Sequence, residues 1–205
     1  MKKQVILVIS LIILVLPFGV NAQDFNFGLQ FGITPSQVDG DGMTGYNKIG
    51  LTAGAFVTRD LTKDVFLYTD LSFTMKGSKV ASSKNVNFDQ LEISANYIDW
   101  GIYAGYRFTD KINLKAGLIP SVLIYSNEKT PAGIESLEDE KFRAFNMLIS
   151  GGLSYHFSKH FALNATYNYS IFSIRPGEYE VFDYDIKISN AQYHHYINIG
   201  LMYQF

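Results

Sequence analysis

The chain has 205 residues, a formal charge of −2, no cysteine, and 47% hydrophobic and 15% aromatic residues. The near-neutral charge favours no class of partner, and the missing cysteines exclude disulfides and thiolate metal sites. The length suits one domain behind a short leader.

Residues 1–22 read as a cleavable secretory signal peptide. Lys2 and Lys3 give a positive start, Val5 to Leu16 form an apolar run broken only by Ser10, and Val20-Asn21-Ala22 suits cleavage. The run is shorter than the roughly 20 residues a spanning helix requires, and no cysteine follows it to carry a lipoprotein anchor. Export argues against nucleic acid as a partner. The mature domain is then 23–205. No later segment reaches 18 consecutive apolar residues, so any membrane crossing is made by strands.

Side chains of a strand alternate between faces, and that alternation recurs eight times. The first strand sets Phe25, Phe27, Leu29, Phe31 and Ile33 against Asn26, Gly28, Gln30 and Gly32. In the second, Ile49, Leu51, Ala53, Ala55 and Val57 oppose Lys48, Gly50, Thr52 and Gly54. The third opposes Val65, Leu67, Leu71, Phe73 and Met75 to Tyr68, Asp70, Ser72, Thr74 and Lys76. The fourth has Ile98, Trp100, Ile102, Ala104, Tyr106 and Phe108 against Asp99, Gly101, Tyr103, Gly105 and Arg107. There Ile93, Ala95 and Tyr97 fall on the opposite phase from Ile98 onward, which predicts a bulge near Tyr97. The fifth runs from Ile112 to Ile124 with Lys115 on its polar phase, the sixth from Phe145 to Phe157, and the seventh from Phe161 to Ile171. The eighth, Tyr193 to Phe205, carries Ile197, Ile199, Leu201, Tyr203 and Phe205 on one phase and finishes on an aromatic.

Charge identifies the two faces. No Asp, Glu, Lys or Arg stands on the apolar phase, whereas Lys48, Asp70, Lys76, Asp99, Arg107 and Lys115 all stand on the glycine-rich phase. A basic residue facing lipid at mid-bilayer costs about 2–4 kcal/mol. A soluble eight-stranded calyx would have the inverse pattern. The expected fold is therefore all-β, an eight-stranded antiparallel up-and-down transmembrane β-barrel.

Connections of alternating length orient it. Arg59 to Asp64, Thr109 to Lys111 and Ser158 to His160 are short; Thr34 to Asn47, Gly77 to Leu91, Asn127 to Arg143 and Ser173 to Gln192 are long. Outer-membrane barrels have short periplasmic turns and longer extracellular loops, so four loops face outward and both termini are periplasmic. Aromatics including Phe25, Tyr106, Phe108, Phe157, Phe161, Tyr203 and Phe205 gather at the turn end as an interfacial girdle.

The leader, eight alternating strands and terminal Tyr203-Gln204-Phe205 resemble the small outer-membrane barrels of the porin-family or PorT-like type, common in Bacteroidota. Tyr97 to Phe108 occupies the place of that family's Tyr-Leu-Glu-Ile-Pro segment, and Leu114-Lys115-Ala116-Gly117-Leu118 that of its Ala-Gly-Pro segment, without either proline. The resemblance implies the Gram-negative outer membrane, surrounded by lipopolysaccharide. It also implies an assembly signal at Tyr203 and Phe205, read by the barrel-assembly machinery, and leaves open an accessory role in secretion.

An eight-stranded barrel is just wide enough for its own side chains, and inward Phe56, Phe66, Tyr68, Tyr103, Leu148, Tyr196 and Met202 are expected to fill it. Asp70 and Asp99 against Arg107 and Lys115 then form a charge network in the lumen, since buried charges require partners. A narrow channel for small solutes or ions is the alternative. No cofactor is expected, nor an enzyme: His194, Ser173 and Asp185 are the only candidates for a catalytic set, and nothing fixes their geometry. Asp39-Gly40-Asp41-Gly42 lacks the bidentate Glu of a calcium loop and reads as a turn. Alternating Phe182, Tyr184, Ile186 and Ile188 in the last loop suggest an extracellular hairpin whose apolar side binds a partner.

Overall fold

The computed structural model describes residues 25–79, 92–129, 142–175, 179–180, 187–188 and 191–205. The expected signal peptide lies outside them. Eight long strands come first to last as β1 (Phe25–Asp39), β2 (Lys48–Asp60), β3 (Val65–Lys79), β4 (Glu92–Arg107), β5 (Ile112–Lys129), β6 (Phe145–His156), β7 (Phe161–Ser170) and β10 (Tyr193–Gln204). They close into one antiparallel barrel in the order β1-β10-β7-β6-β5-β4-β3-β2. The two-residue strands β8 (Tyr179–Glu180) and β9 (Lys187–Ile188) pair only with each other. Closure runs from Gly28 opposite Gln204 to Asp39 opposite Tyr193, with one register throughout.

The faces fall as their chemistry dictates. Phe31, Ile49, Leu71, Trp100, Ile149 and Leu163 stand outward and exposed, while Thr52, Asp70, Ser72, Lys76, Asp99 and Lys115 are buried inward. The shortest barrel strand, β7, has 10 residues, within the roughly 9–11 that a tilted strand needs to cross a bilayer.

Several strands run further than expected. β1 continues to Asp39 rather than stopping at Ile33, because Thr34, Ser36 and Val38 keep the inward phase and are buried. Pro35, with no N–H to give, stands on the outward phase, where the β1–β10 register is unchanged on either side of it.

The irregularity near Tyr97 is real but lies on the other strand. Pairing passes from Asn96 opposite Tyr125 to Tyr97 opposite Leu123, so the extra residue is Ile124 of β5. β4 keeps one phase along its whole length: Ile93, Ala95 and Tyr97 point inward with Asp99 and Gly101. The apolar side chains that looked out of phase are instead an inward cap. On β5, Ile124 and Tyr125 are consecutively exposed, which is where the bulge shifts the phase.

The three short connections share one device. In each, a hydroxyl accepts the backbone N–H groups two and three residues on: Thr62 from Asp64 and Val65, Thr109 from Lys111 and Ile112, Ser158 from His160 and Phe161. The pattern apolar-Thr/Ser-x-x-apolar therefore marks every tight turn of this barrel.

Candidate functional site

The inward side chains fill the lumen in three layers. Nearest the short turns, Phe56, Phe66, Tyr68, Tyr103 and Met202 form one apolar cluster. Phe56 stacks on Tyr68 at 5.3 Å, and Tyr103 meets Tyr68 edge-on at 5.4 Å. Glycines on the facing strands make room for these rings: a Cβ at Gly28 would lie 2.2 Å from Phe56 Cζ, and one at Gly105 2.2 Å from Phe66 Cζ. The glycine-rich polar phase is thus the counterpart of an aromatic plug.

The middle layer is polar. Asp70 Oδ2 accepts from Ser72 Oγ at 2.7 Å and from Gln30 Nε2 at 2.8 Å, and Gln30 Oε1 accepts from Tyr68 at 2.9 Å. Above it, the Lys76 ammonium lies 2.8 Å from Asp99 Oδ1 and 4.6 and 4.8 Å from the ring centres of Tyr97 and Tyr196. Asp99 also accepts from Ser121 Oγ at 2.6 Å and Tyr196 Oη at 3.2 Å. Between these groups lies a cavity of about 20 Å³, lined in part by Asp70, Asp99, Lys115, Asn164 and Asn168. That is space for about one water.

The third layer closes the far end. His194 Nε2 and Tyr97 Oη share a hydrogen bond at 3.2 Å; Val38 stands opposite His194 on β1, and Ile93 and Ile174 are buried at the same end. Ile174 is tied down by its carbonyl, which accepts from Arg143 N, and by its N–H, donated to the carbonyl of Gln192. At this rim Lys48 pairs with Glu92, and Arg175 pairs with Glu128.

The four charges expected to form one network are distributed differently. Asp70, Asp99 and Lys115 are buried in the lumen. Arg107 is at the turn-end rim, where it pairs with Asp60 and donates to the Lys63 carbonyl at 3.0 Å. Lys76, not Arg107, is the cation that meets Asp99. Eight residues of β4 separate Asp99 from Arg107, about 26 Å along a strand at roughly 3.3 Å per residue. Lys115 makes no ion pair among the described residues; its ammonium stands 3.9 Å from the Tyr68 ring centre and 4.9 Å from that of Tyr103.

Tyr203 and Phe205 lie in the turn-end girdle. Tyr203 contacts Phe161 at 5.0 Å and Phe205 edge-on at 5.4 Å, and the Phe205 N–H donates to the Phe27 carbonyl at 3.0 Å. An aromatic cluster, missed in the sequence, stands at the opposite rim beside β7 and β10. There Tyr46, Tyr167 and Tyr169 surround outward-facing His195. Tyr46 Oη lies 2.9 Å from His195 Nδ1, and Asp39 Oδ1 lies 3.0 Å from Nε2.

His194 and Ser173 do not meet: Ser173 donates to the Arg175 carbonyl while His194 is buried against Tyr97. Asp185 lies outside the described residues. Asp39 and Asp41 do not converge either. Asp41 Oδ1 accepts from Met43 N at 2.8 Å in a turn where Gly40 and Gly42 take φ of 85° and 76°. Burial raises the Asp41 pKa, against hydrogen bonding that lowers it. Among the described residues no group of three His, Cys, Asp or Glu side chains converges to hold a metal. Phe182, Tyr184 and Ile186 lie outside the described residues, between β8 and β9, whose backbones pair antiparallel.

The sequence profile of the outer membrane protein beta-barrel domain matches residues 21–175. Curated proteins return no match. Among solved structures, the attachment invasion locus protein Ail of Yersinia pestis superposes with a TM-score of 0.50 at 14% identity, covering 89% of this chain and 99% of Ail. Neisserial surface protein A superposes with a TM-score of 0.53 at 14% identity, covering 87% of this chain and 97% of its own. At such identity the likeness is one of fold.

Proposed function

The chain belongs to the outer membrane protein beta-barrel domain family of the bacterial outer membrane, and from that premise we propose a plugged barrel whose role is structural or surface-interacting rather than enzymatic. The observation that supports this reading is the layered lumen. An aromatic layer, a buried Lys76–Asp99 pair and an apolar cap lie in series along the axis, with a cavity of only about 20 Å³ between the first two. In this reading the short turns and both chain ends are periplasmic, as the lengths of the connections suggest. The long connections face outward among lipopolysaccharide, and the barrel-assembly machinery inserts the chain by reading Tyr203 and Phe205. Phe182, Tyr184 and Ile186 of the last loop are the proposed contacts for a surface partner; the β8–β9 pairing supports a hairpin there.

The second reading, a narrow channel for small ions, is favoured by the polar groups around the inner cavity. Planar-bilayer recording separates the two. The plugged barrel is expected to give no steady conductance, and a sustained nanosiemens-scale opening by the wild-type protein would refute it.

A further inference from the structure

Below the aromatic layer the barrel opens at its turn end into a vestibule of about 440 Å³, a volume in the range of small-molecule sites. Its charged lining is one-sided: Arg107, Lys111, Lys115 and Lys159 are cations, and Asp110 is the single carboxylate. Arg107 is already neutralised by Asp60. Lys111, Lys115 and Lys159 have no ion pair among the described residues.

Lys115 is the unusual member. The residue is 7% exposed and lines both the vestibule and the inner cavity, yet among the described residues its ammonium donates no hydrogen bond. Among the described residues the faces of Tyr68 and Tyr103 contact its ammonium, and Asp70, which shares the lining of the inner cavity, is the carboxylate that acts on it without a direct ion pair. A buried cation costs free energy unless paired, and cation–π contacts return only part of that cost. An anion entering from the turn end would meet this ammonium at the floor, with Lys111 and Lys159 on the turns above. Asn113 and His156, hydrogen bonded to each other at 2.9 Å, stand on the wall. Three ammonium groups around a space larger than one ion suit a multiply charged oxyanion.

We propose that the turn-end vestibule is a binding site for a small soluble solute carrying phosphate or a comparable polyvalent oxyanion, with Lys115 as its principal contact. The site lies on the barrel axis, away from the lipid-facing surface. This selects a soluble ligand over a membrane headgroup, although both carry the same phosphoryl chemistry.

The test is a titration of pyrophosphate into the isotope-labelled full-length mature barrel in phosphatidylcholine nanodiscs, read by NMR. Shifts confined to Lys115, Lys111, Asn113 and His156 are expected, weakening as salt is raised. Lys115→Met should lower affinity about tenfold, the loss of one charge-assisted contact. The exposed Lys111→Ala/Lys159→Ala pair should lower it several-fold, and it serves as the test if Lys115→Met does not fold. Lys79→Ala, at the opposite end, should change nothing. Unaltered affinity in both vestibule variants, shifts spread over the whole surface, or a response only when phosphatidylglycerol replaces phosphatidylcholine would each overturn the assignment.

Discussion

The Lys76–Asp99 pair is the most exacting test of the plugged lumen. Lys76 has a fully buried side chain, and Asp99 is the one carboxylate it contacts among the described residues, at 2.8 Å. In Asp99→Asn the ammonium would keep only the faces of Tyr97 and Tyr196 and a 3.4 Å contact to Ser121. Cation–π contacts of this kind recover about 2 kcal/mol, less than the several kcal/mol needed to hold an unpaired charge away from water. We therefore expect Asp99→Asn to cost about 3–5 kcal/mol. Lys76→Met should fall at the lower end of that range. The carboxylate it leaves behind retains donors from Ser121 and Tyr196 and can shed its charge by taking up a proton.

The double variant Lys76→Met/Asp99→Leu decides the reasoning. Replacing a buried pair by apolar groups of similar size is often neutral, so the double variant should cost no more than the worse single one. Urea unfolding in phospholipid vesicles measures all three. Trp100, the sole tryptophan of the chain, faces lipid one residue from Asp99 and reports insertion by its fluorescence. An Asp99→Asn variant within about 1 kcal/mol of wild type, or strictly additive single costs, would show that the pair does not hold the layer together.

Two further outcomes are expected. Because burial raises the Asp41 pKa, the native state holds that proton more tightly than the unfolded chain. Its contribution is present below the unfolded value of 3.8 and is lost as pH rises through the raised folded value. Asp41→Asn should thus stabilise the barrel slightly at pH 7 but not near pH 3, as read from thermal unfolding at the two pH values; equal effects at both would contradict the shift. If Tyr203 and Phe205 carry an assembly signal, Phe205→Ala should cut the heat-modifiable folded fraction in outer membranes severalfold. Phe108→Ala, which removes a similarly exposed aromatic, should not, and equal losses would reduce Phe205 to one member of the girdle.

The barrel was legible because two physical constraints write themselves into every second residue. Lipid excludes charge from one face, and a narrow lumen sets glycine and polar side chains among a few large rings on the other. Phe27 to Ile33 and Leu67 to Phe73 carry that pattern without exception among their outward residues. The ends of strands were less legible because the lipid constraint stops at the bilayer surface while hydrogen bonding continues. Thr34 to Asp39 therefore read as loop although β1 goes on pairing with both neighbours. Ile93, Ala95 and Tyr97 misled for a related reason: above the bilayer an inward position has no need to be polar, and apolar residues there cap the lumen. The signal for the turns was present in Leu61-Thr62, Phe108-Thr109 and Phe157-Ser158, in each of which the hydroxyl residue is followed three residues later by the first residue of the next strand.

Phase says that a charge points inward but not at what height, and height depends on register. Ser72 faces Asp99 across the β3–β4 pair, and Lys76 lies one inward step beyond Thr74 on the same strand, so a long flexible cation stands above the carboxylate and reaches down to it. Arg107 shares the phase of Asp99 yet sits at the other end of β4, opposite Asn113, where the carboxylate within reach is Asp60 at the end of β2. The same register puts Lys115 opposite Gly105, beside the aromatic layer and below the level of Asp70, which pairs with Gly101. Asp70 is meanwhile engaged by Ser72 and Gln30. Lys48, Lys76 and Arg107 have thus found carboxylates within reach of their side chains. Lys115 has found aromatic faces above and an open basic vestibule below, with Asp70 reaching it only across the inner cavity, and for that reason the proposed anion would be its direct ion-pair partner.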